Sequence, residues 1–155
     1  MNLFAEHFLK QMAVEKNGVG QREAGIQIIK EYWEEKGISA ETFFMEDGSG
    51  LSHFNAVSPR FFTHLLSEMA KNESFVHSLP TAGDGTLSQF SSEIFPGNTL
   101  KAKSGSMTRV RCYSGYLKSD SGKELAFSIL VNHFSGSHTK LIGAIENLLA
   151  EIKKQ

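Results

Sequence analysis

Residues 99–106 have the sequence TLKAKSGS, which is the most informative pattern in the chain. A Pro-Gly-Asn turn at residues 96–98 comes just before it, and apolar and polar side chains then roughly alternate. Alternation next to turn residues is typical of a half-buried strand. We therefore predict a strand over residues 100–104 that ends at Gly105.

The same strand carries a candidate site for an anionic peptide end. Lys103 and Gly105 share one face of it, because side chains alternate along a strand with a period of two. The lysine supplies a positive charge, the Ser104 hydroxyl can donate to a carboxylate, and the glycine lets a second backbone approach. Lys-Ser-Gly alone is a weak signal, since it also fits a strand that runs into an exposed basic turn.

The residues after this strand predict the rest of an antiparallel sheet. Strand patterns cover residues 109–117 and 124–134, and residues 119–122 (SDSG) fit a hairpin loop between them. Ser137 caps a final helix whose apolar stripe is suited to lie across the sheet. The stripe consists of Leu141, Ile142, Ile145, Leu148, Leu149 and Ile152.

Upstream of the sheet, helical spacing of apolar side chains predicts a mainly helical region. The predicted elements are a helix over residues 2–16, a helix over 21–36, a short buried strand over 42–45, a helix that begins at Pro59 with Ser58 as its N-cap, a short helix over 74–79 and a polar helical stretch over 87–94. The fold class is therefore α+β, with helices packed on an antiparallel sheet in a single domain over residues 1–155.

Length, charge and cysteine content exclude several kinds of protein. The 155 residues, 40% of them hydrophobic, suffice for one domain with a core, and no apolar run approaches a membrane span. A net charge of -1 without a block of like charge gives no reason to expect binding to nucleic acid or an anionic membrane. The single cysteine excludes an intramolecular disulfide, and the first residues lack the pattern of a signal peptide.

Several other motifs favour structural roles over chemical ones. The six histidines are scattered and none is paired at metal-ligand spacing, so we expect no metal site and no cofactor. Residues 18–20 superficially fit a dinucleotide fingerprint, but no strand precedes them, which favours a turn between two helices. Residues 47–50 lack the alternating ligands of a calcium loop and fit a tight turn. Cys112 lies among apolar strand residues, where a buried thiol is more usual than a nucleophile.

Ser137 and Lys140 have the Ser-x-x-Lys spacing in which a lysine one helical turn along can activate a serine nucleophile. The same serine is needed as the N-cap of the last helix. We favour the cap over the nucleophile, because a chain rich in serine and lysine produces such a match by chance.

Four sequence blocks, one of which contains the Lys-Ser-Gly stretch, together form a more specific pattern than that stretch alone. They are residues 2–7 (NLFAEH), residues 47–52 (DGSGLS) with Asn55 and Ser58-Pro59, residues 83–87 (GDGTL) and residues 101–106 (KAKSGS). In order and spacing the chain resembles the penicillin-binding D-alanyl-D-alanine carboxypeptidases of the carboxypeptidase/endopeptidase (class C) type, over essentially its whole length. The resemblance implies the C-terminal half of a β-lactamase or transpeptidase-like domain.

The resemblance also implies roles for five residues. Lys103, which sets a positive potential for the substrate's terminal carboxylate, and Asn2, which matches the asparagine of the family's Ser-x-Asn motif, are the expected catalytic residues. Ser104, Gly105 and Ser106 are the expected substrate-binding residues. The Ser104 hydroxyl would bind the carboxylate, Gly105 would let the peptide lie against the strand, and the Ser106 N–H would contribute to an oxyanion hole.

In the family's pattern the nucleophilic Ser-x-x-Lys and the serine of Ser-x-Asn fall upstream of Met1. We therefore expect part of a serine-type D-alanyl-D-alanine carboxypeptidase that acts on peptidoglycan stem peptides and, when complete, binds β-lactams in the periplasm or outside the cell. This chain alone is expected to be inactive.

Two alternatives stay open. One is a non-catalytic module that binds D-Ala-D-Ala peptides. The other is a structural half-domain that self-associates through the face left by the missing half.

Overall fold

The computed structural model describes residues 2–155 and confirms the α+β fold class. In chain order the elements are α1 (Asn2–Asn17), α2 (Arg22–Glu35), β1 (Phe43–Phe44), β2 (Ala56–Val57), α3 (Pro59–Met69), α4 (Glu73–Ser78), a 3-10 helix (Gly85–Leu87), β3 (Leu100–Met107), β4 (Val110–Lys118), β5 (Glu124–Asn132) and α5 (His138–Lys153). Within residues 2–155, no helix is both long and apolar enough to cross a membrane. The chain forms two compact units, the first ending at Phe61 and the second beginning at Phe62.

The first unit depends on a close contact between α1 and α2. Leu9 and Ala13 of α1 are buried. A Cβ atom placed on Gly25 of α2 would lie 2.3 Å from the Leu9 carbonyl oxygen, so only glycine fits there. Gly18, with a φ of 75°, lies in the turn between the two helices. The predicted helix-helix turn is therefore confirmed.

A two-residue ladder follows α2. The strand predicted over residues 42–45 is reduced to Phe43 and Phe44, which pair with the unpredicted strand β2. The ring of Phe43 stacks on that of Phe61 with centroids 4.7 Å apart, whereas Phe44 is 60% exposed. The prediction of a buried strand is wrong for Phe44, because successive side chains of a strand point to opposite faces.

The second unit contains an antiparallel sheet in the order β3-β4-β5. Lys103 of β3 lies opposite Ser114 of β4, which in turn lies opposite Ser128 of β5. The apolar stripe of α5 packs on the other face of the sheet, as predicted, but Leu148 is 50% exposed and lies outside it. The buried core comprises Ala82, Leu87, Phe90, Phe95, Leu100, Ala102, Tyr113, Leu117, Ile142, Ile145 and Leu149. Full burial of one large apolar side chain contributes roughly 1.5–3 kcal/mol, so this core holds β3 firmly in place.

Two predicted strand ends are wrong. β3 does not end at Gly105 but continues to Met107, because Gly105 stays in the ladder opposite Cys112. β5 ends at Asn132 and not at residue 134, because His133 has a φ of 54°. A positive φ is incompatible with an extended strand, so the ladder stops there.

The polar helix predicted over residues 87–94 is also wrong. Only the 3-10 helix forms, and the chain then continues in turns that bury Phe90 and Phe95 at 2% and 0% exposure. The Ser91 N–H donates to the Glu146 carboxylate of α5 at 2.6 Å. These long-range contacts outweigh the local helical preference, which is only a weak guide.

We expect Gly25→Ala to lower the free energy of unfolding of the α1–α2 unit by about 1–3 kcal/mol, since the added methyl group must push the helix backbones apart. The single tryptophan, Trp33, is buried in α2, so its fluorescence during urea unfolding reports on this unit.

The matched control is Gly143→Ala in α5, where an added Cβ meets nothing within 4 Å. Alanine there should be neutral or stabilising by up to about 1 kcal/mol, measured by circular dichroism during urea unfolding because α5 lies in the second unit. Equal stability of Gly25→Ala and the unmodified chain would contradict the close contact.

Candidate functional site

The outer edge of β3 is covered over part of its length only. Thr81 forms a β-bridge with Lys101, and the Ala102 N–H donates to the Pro80 carbonyl at 3.1 Å. Within residues 2–155, no strand or bridge covers this edge from Lys103 onward. The open edge therefore begins at the Lys-Ser-Gly sequence.

The direction of the backbone groups along this edge follows from the ladder. In an antiparallel sheet each residue sends its N–H and C=O to the same side, and successive residues alternate. Because the Ala102 N–H points outward to Pro80, the N–H groups of Ser104 and Ser106 also point outward. Two consecutive outward donors are thus available to a ligand at the open edge.

Lys103 supplies a positive charge at the start of the open edge. Its side chain is exposed, and the ammonium group donates to the carbonyl oxygen of Ser104 at 2.5 Å. Lys103 and Ser104 lie on opposite faces of β3, and Ser104 is half-buried. A carboxylate in the plane of the sheet, at the edge, is reachable from both faces, so both side chains can bind it.

Gly105 is not required by the packing of the chain itself. A Cβ atom placed there would meet only the Cβ of Cys112, at an ordinary 3.7 Å. At Gly115 of β4, by contrast, a Cβ would lie 2.0 Å from the Lys101 carbonyl oxygen. The space over Gly105 is therefore open, as a ligand backbone that approaches the strand requires.

The residues across from this edge were not singled out by the sequence patterns. Ser114, opposite Lys103, shares a 2.8 Å hydrogen bond with Ser128. Arg111, opposite Ser106, donates to the Tyr113 hydroxyl at 2.8 Å and stacks over that ring. Such pairings across strands depend on register, which no local sequence signal gives.

Cys112 is a half-buried free thiol on β4. Burial raises the pKa of this thiol, so less of it is the reactive thiolate at neutral pH. The thiol predicted to be buried is therefore only partly buried in the structure.

Asn2 lies in the first unit, on the first turn of α1, and its side chain is exposed. Lys103, Ser104, Gly105 and Ser106 follow one another on β3 of the second unit. The structure thus groups four of the five expected site residues on one strand, and their roles and that of Asn2 stay predictions.

The loop after β1 is organised around Asp47. The two carboxylate oxygens accept hydrogen bonds from the N–H groups of Gly50 and Ser52, each at 2.8 Å, and the Asn55 amide donates at 2.9 Å. Burial opposes ionisation of Asp47, but these hydrogen bonds outweigh it, so the pKa of Asp47 lies below its ordinary 3.8. Both oxygens are used within the loop, which supports a structural turn.

Glu6 fastens this loop to α1. Its carboxylate accepts a hydrogen bond from the Gly48 N–H at 2.8 Å and lies within 3.4 Å of the Arg22 side chain. A Cβ atom on Gly48 would come within 2.8 Å of the Ala5 carbonyl oxygen. The loop therefore packs directly on the helix that carries Asn2.

Ser137 is the N-cap of α5. Its hydroxyl oxygen accepts a hydrogen bond from the Lys140 N–H at 3.2 Å. The prediction of a cap is confirmed. Among residues 2–155, no group of three or more His, Cys, Asp or Glu side chains is placed to hold a metal ion.

The α+β fold of the chain matches part of the folds of two kinds of solved protein. The structure matches part of penicillin binding protein 4 (dacB) from Haemophilus influenzae with a TM-score of 0.87 and 27% sequence identity, over 99% of this chain and 37% of that one. It also matches TLA-1 β-lactamase with a TM-score of 0.61, over 93% of this chain and 57% of that one. At 14% identity, the second match shows the fold alone.

Residues 1–152 match the D-Ala-D-Ala carboxypeptidase 3 (S13) family, and the chain belongs to it. It is 33% identical over 144 residues to the D-alanyl-D-alanine carboxypeptidase of Actinomadura sp. (strain R39), and 33% identical over 117 residues to DacB of Haemophilus influenzae. The matches cover 87% and 72% of this chain but only 27% and 24% of those relatives. The resemblance noted in the sequence is therefore confirmed at the level of the family.

We expect Asp47→Asn to lower the free energy of unfolding of the first unit by about 1 kcal/mol at neutral pH, because one backbone donor loses its acceptor. Since the folded pKa of Asp47 is lowered, its stabilising contribution is present above pH 3.8 and is lost as the pH falls through the folded value. The difference between variant and unmodified chain should therefore narrow below pH 3.8, as measured by Trp33 fluorescence in urea.

Glu41→Gln is the control, because Glu41 is an exposed carboxylate of the same unit. It should change stability little at any pH. If the free energies of unfolding of Asp47→Asn and the unmodified chain differed by the same amount at all pH values, the role of the carboxylate charge would be contradicted.

Proposed function

We propose that this chain supplies the strand that holds the substrate's terminal carboxylate in a serine-type D-alanyl-D-alanine carboxypeptidase. The single observation that carries the proposal is the open edge of β3 from Lys103 onward, immediately after the stretch covered by Pro80 and Thr81. The substrate class is a peptidoglycan stem peptide that ends in D-Ala-D-Ala.

The geometry supports binding of a peptide as an added strand. An extended peptide antiparallel to β3 accepts hydrogen bonds from the outward N–H groups of Ser104 and Ser106. Lys103 attracts the terminal carboxylate, the Ser104 hydroxyl donates to it, and the open space at Gly105 admits the peptide backbone. The Ser106 N–H can also stabilise an oxyanion that develops at the scissile carbonyl.

The nucleophile comes from elsewhere in the complete enzyme under this proposal. The one Ser-x-x-Lys of this sequence is Ser137 to Lys140, and the Ser137 hydroxyl is engaged as a helix cap. Asn2 takes the part of the Ser-x-Asn asparagine. The chain by itself is then inactive towards D-Ala-D-Ala peptides.

The names of the relatives support the ligands and the location that we propose for the complete protein. Two are named D-alanyl-D-alanine carboxypeptidases, and the Haemophilus influenzae protein has been solved in complex with a β-lactam. For the complete protein we propose the same ligands, peptidoglycan stem peptides and β-lactams, and a location outside the cytoplasm where peptidoglycan lies.

A second candidate function is binding without catalysis. The charge, the two outward donors and the open space all lie on one strand of the second unit, so they do not depend on a nucleophile. A module of this kind recognises D-Ala-D-Ala ends and leaves them intact.

We expect no covalent labelling of this chain by a fluorescent penicillin, measured as a band at its 17.1 kDa mass on a denaturing gel. A complete family member labelled in the same reaction is the positive control. A labelled band that disappears in Ser137→Ala would overturn the assignment of that serine as a cap.

We also expect weak, saturable binding of a peptide ending in D-Ala-D-Ala, measured by calorimetry. Lys103→Ala should weaken it at least about tenfold, because a charge-assisted hydrogen bond is lost. Gly105→Ala should weaken it similarly while leaving the free energy of unfolding unchanged, since a Cβ fits within the chain.

Lys123→Ala is the matched control, because Lys123 is exposed at the hairpin between β4 and β5, away from this edge. Binding that is unaffected by Lys103→Ala, or no heat at millimolar peptide, would contradict the proposed site.

A further inference from the structure

A cavity lies on the face of the sheet that carries Lys101 and Tyr116, opposite the face that packs on α5. Its volume is about 640 Å³, and residues of β3, β4 and β5 form one wall while α4 forms another. Within residues 2–155, every lining residue falls between Ala70 and Glu124, in the second unit, and none belongs to the open stretch of β3 that begins at Lys103. A pocket of this size can hold a small molecule.

Lys101 is the buried cation of this cavity. It is only 8% exposed, and within residues 2–155 no hydrogen bond or ion pair engages its ammonium group. No fully buried side-chain nitrogen of these residues lacks a partner, so the unpaired ammonium group must keep some contact with solvent, and the cavity that Lys101 lines provides it. A charge buried this deeply lowers the free energy of unfolding unless it is paired. An anionic group in the cavity supplies the missing partner.

Acidic side chains line the rim of the same cavity. Glu73 lies in the first turn of α4 and Glu124 is the first residue of β5, and both are exposed. Burial and, after it, the negative charge of Glu124 raise the pKa of the Tyr116 hydroxyl, and Tyr116 lies directly opposite Lys101 in the ladder. The negative charge of the rim is therefore felt next to the buried lysine.

His77 and Lys118 complete the pattern of polar groups. The His77 Nδ1–H donates to the Glu73 carbonyl oxygen at 2.8 Å, which leaves Nε2 of the neutral ring as an acceptor on the same wall. Lys118 lies opposite Glu124 across the ladder. The two lysines and two glutamates of the lining balance in charge, so a ligand whose own charges balance complements this cavity better than a multiply charged anion.

We propose that this cavity binds a zwitterionic amino acid or short peptide. The carboxylate of the ligand pairs with the Lys101 ammonium group, and its amino group lies toward Glu73 and Glu124. Val76 and the Tyr116 ring offer apolar surface to a small side chain. Phosphate gains the same contact with Lys101 but is repelled by the two glutamates, so it binds more weakly.

Titration of the isotope-labelled chain with L-alanyl-L-alanine, followed by amide chemical shifts, tests the proposal. We expect saturable shifts at Tyr116, Leu117 and Lys118, which line the cavity. L-Alanyl-L-alaninamide, which lacks the carboxylate, and N-acetyl-L-alanyl-L-alanine, which lacks the amino charge, should each bind at least about tenfold more weakly, because each loses a charge-assisted contact. Inorganic phosphate should also bind more weakly than the dipeptide.

Three variants test the residues. Lys101→Met keeps the length of the side chain without its charge and should weaken dipeptide binding at least about tenfold. It should leave the free energy of unfolding unchanged or raise it, because an unpaired buried charge is removed. Glu73→Gln, at an exposed position, should weaken binding about threefold. Lys140→Met is the matched control, because Lys140 is exposed on α5 at the other face of the sheet.

Absence of saturable shifts at the cavity residues with millimolar dipeptide would overturn the proposal. Dipeptide binding that is unchanged in Lys101→Met, or phosphate that binds more tightly than the dipeptide, would overturn it equally. Circular dichroism spectra establish that the variants are folded, and if Lys101→Met is not, the dipeptide and its amide compared on the unmodified chain test the same contact. Shifts at Ser104 and Ser106 with a D-Ala-D-Ala peptide test the proposed function separately, since neither residue lines the cavity.

Discussion

The backbone N–H and C=O groups of every strand in a sheet need hydrogen-bond partners, and this requirement shapes the second unit of the chain. β4 satisfies it on both sides, through β3 and β5. β3 satisfies it in part: Pro80 and Thr81 cover its outer edge at Lys101 and Ala102, and within residues 2–155 no strand or bridge covers it from Lys103 onward. The open stretch begins at the Lys-Ser-Gly sequence. It offers the positive charge of Lys103, the hydroxyl of Ser104 and, at Gly105, a position where the packing of the chain does not require glycine.

The packing beneath the sheet explains how such an edge stays in position. Phe90 and Phe95 are buried in the core under β3 and β4, and Glu146 of α5 holds the backbone between them through Ser91. The strand is therefore fixed before any ligand arrives. A preformed edge binds an extended peptide with a smaller loss of conformational entropy than a mobile segment.

Features that depend on short-range sequence patterns could be predicted from the sequence. Features that depend on contacts between distant residues could not. The three strands of the larger sheet, most of the α5 stripe and the Ser137 cap each depend on neighbouring residues, and the structure confirms them except for two strand ends and Leu148. The turns at residues 87–94, the cover from Pro80 and the path of β3 through Gly105 depend on residues far along the chain. The Lys-Ser-Gly site could be recognised in the sequence only because the three other sequence blocks accompany it. Its open edge became visible only from the strand pairing in the structure.

The most direct test of the open edge is a titration of the isotope-labelled chain with a D-Ala-D-Ala peptide, followed by amide chemical shifts. We expect saturable shifts at the outward N–H groups of Ser104 and Ser106, and little change at Ala102, whose N–H is already bonded to Pro80. Absence of saturable shifts at Ser104 and Ser106, or shifts confined to another surface, would contradict a peptide site at this edge.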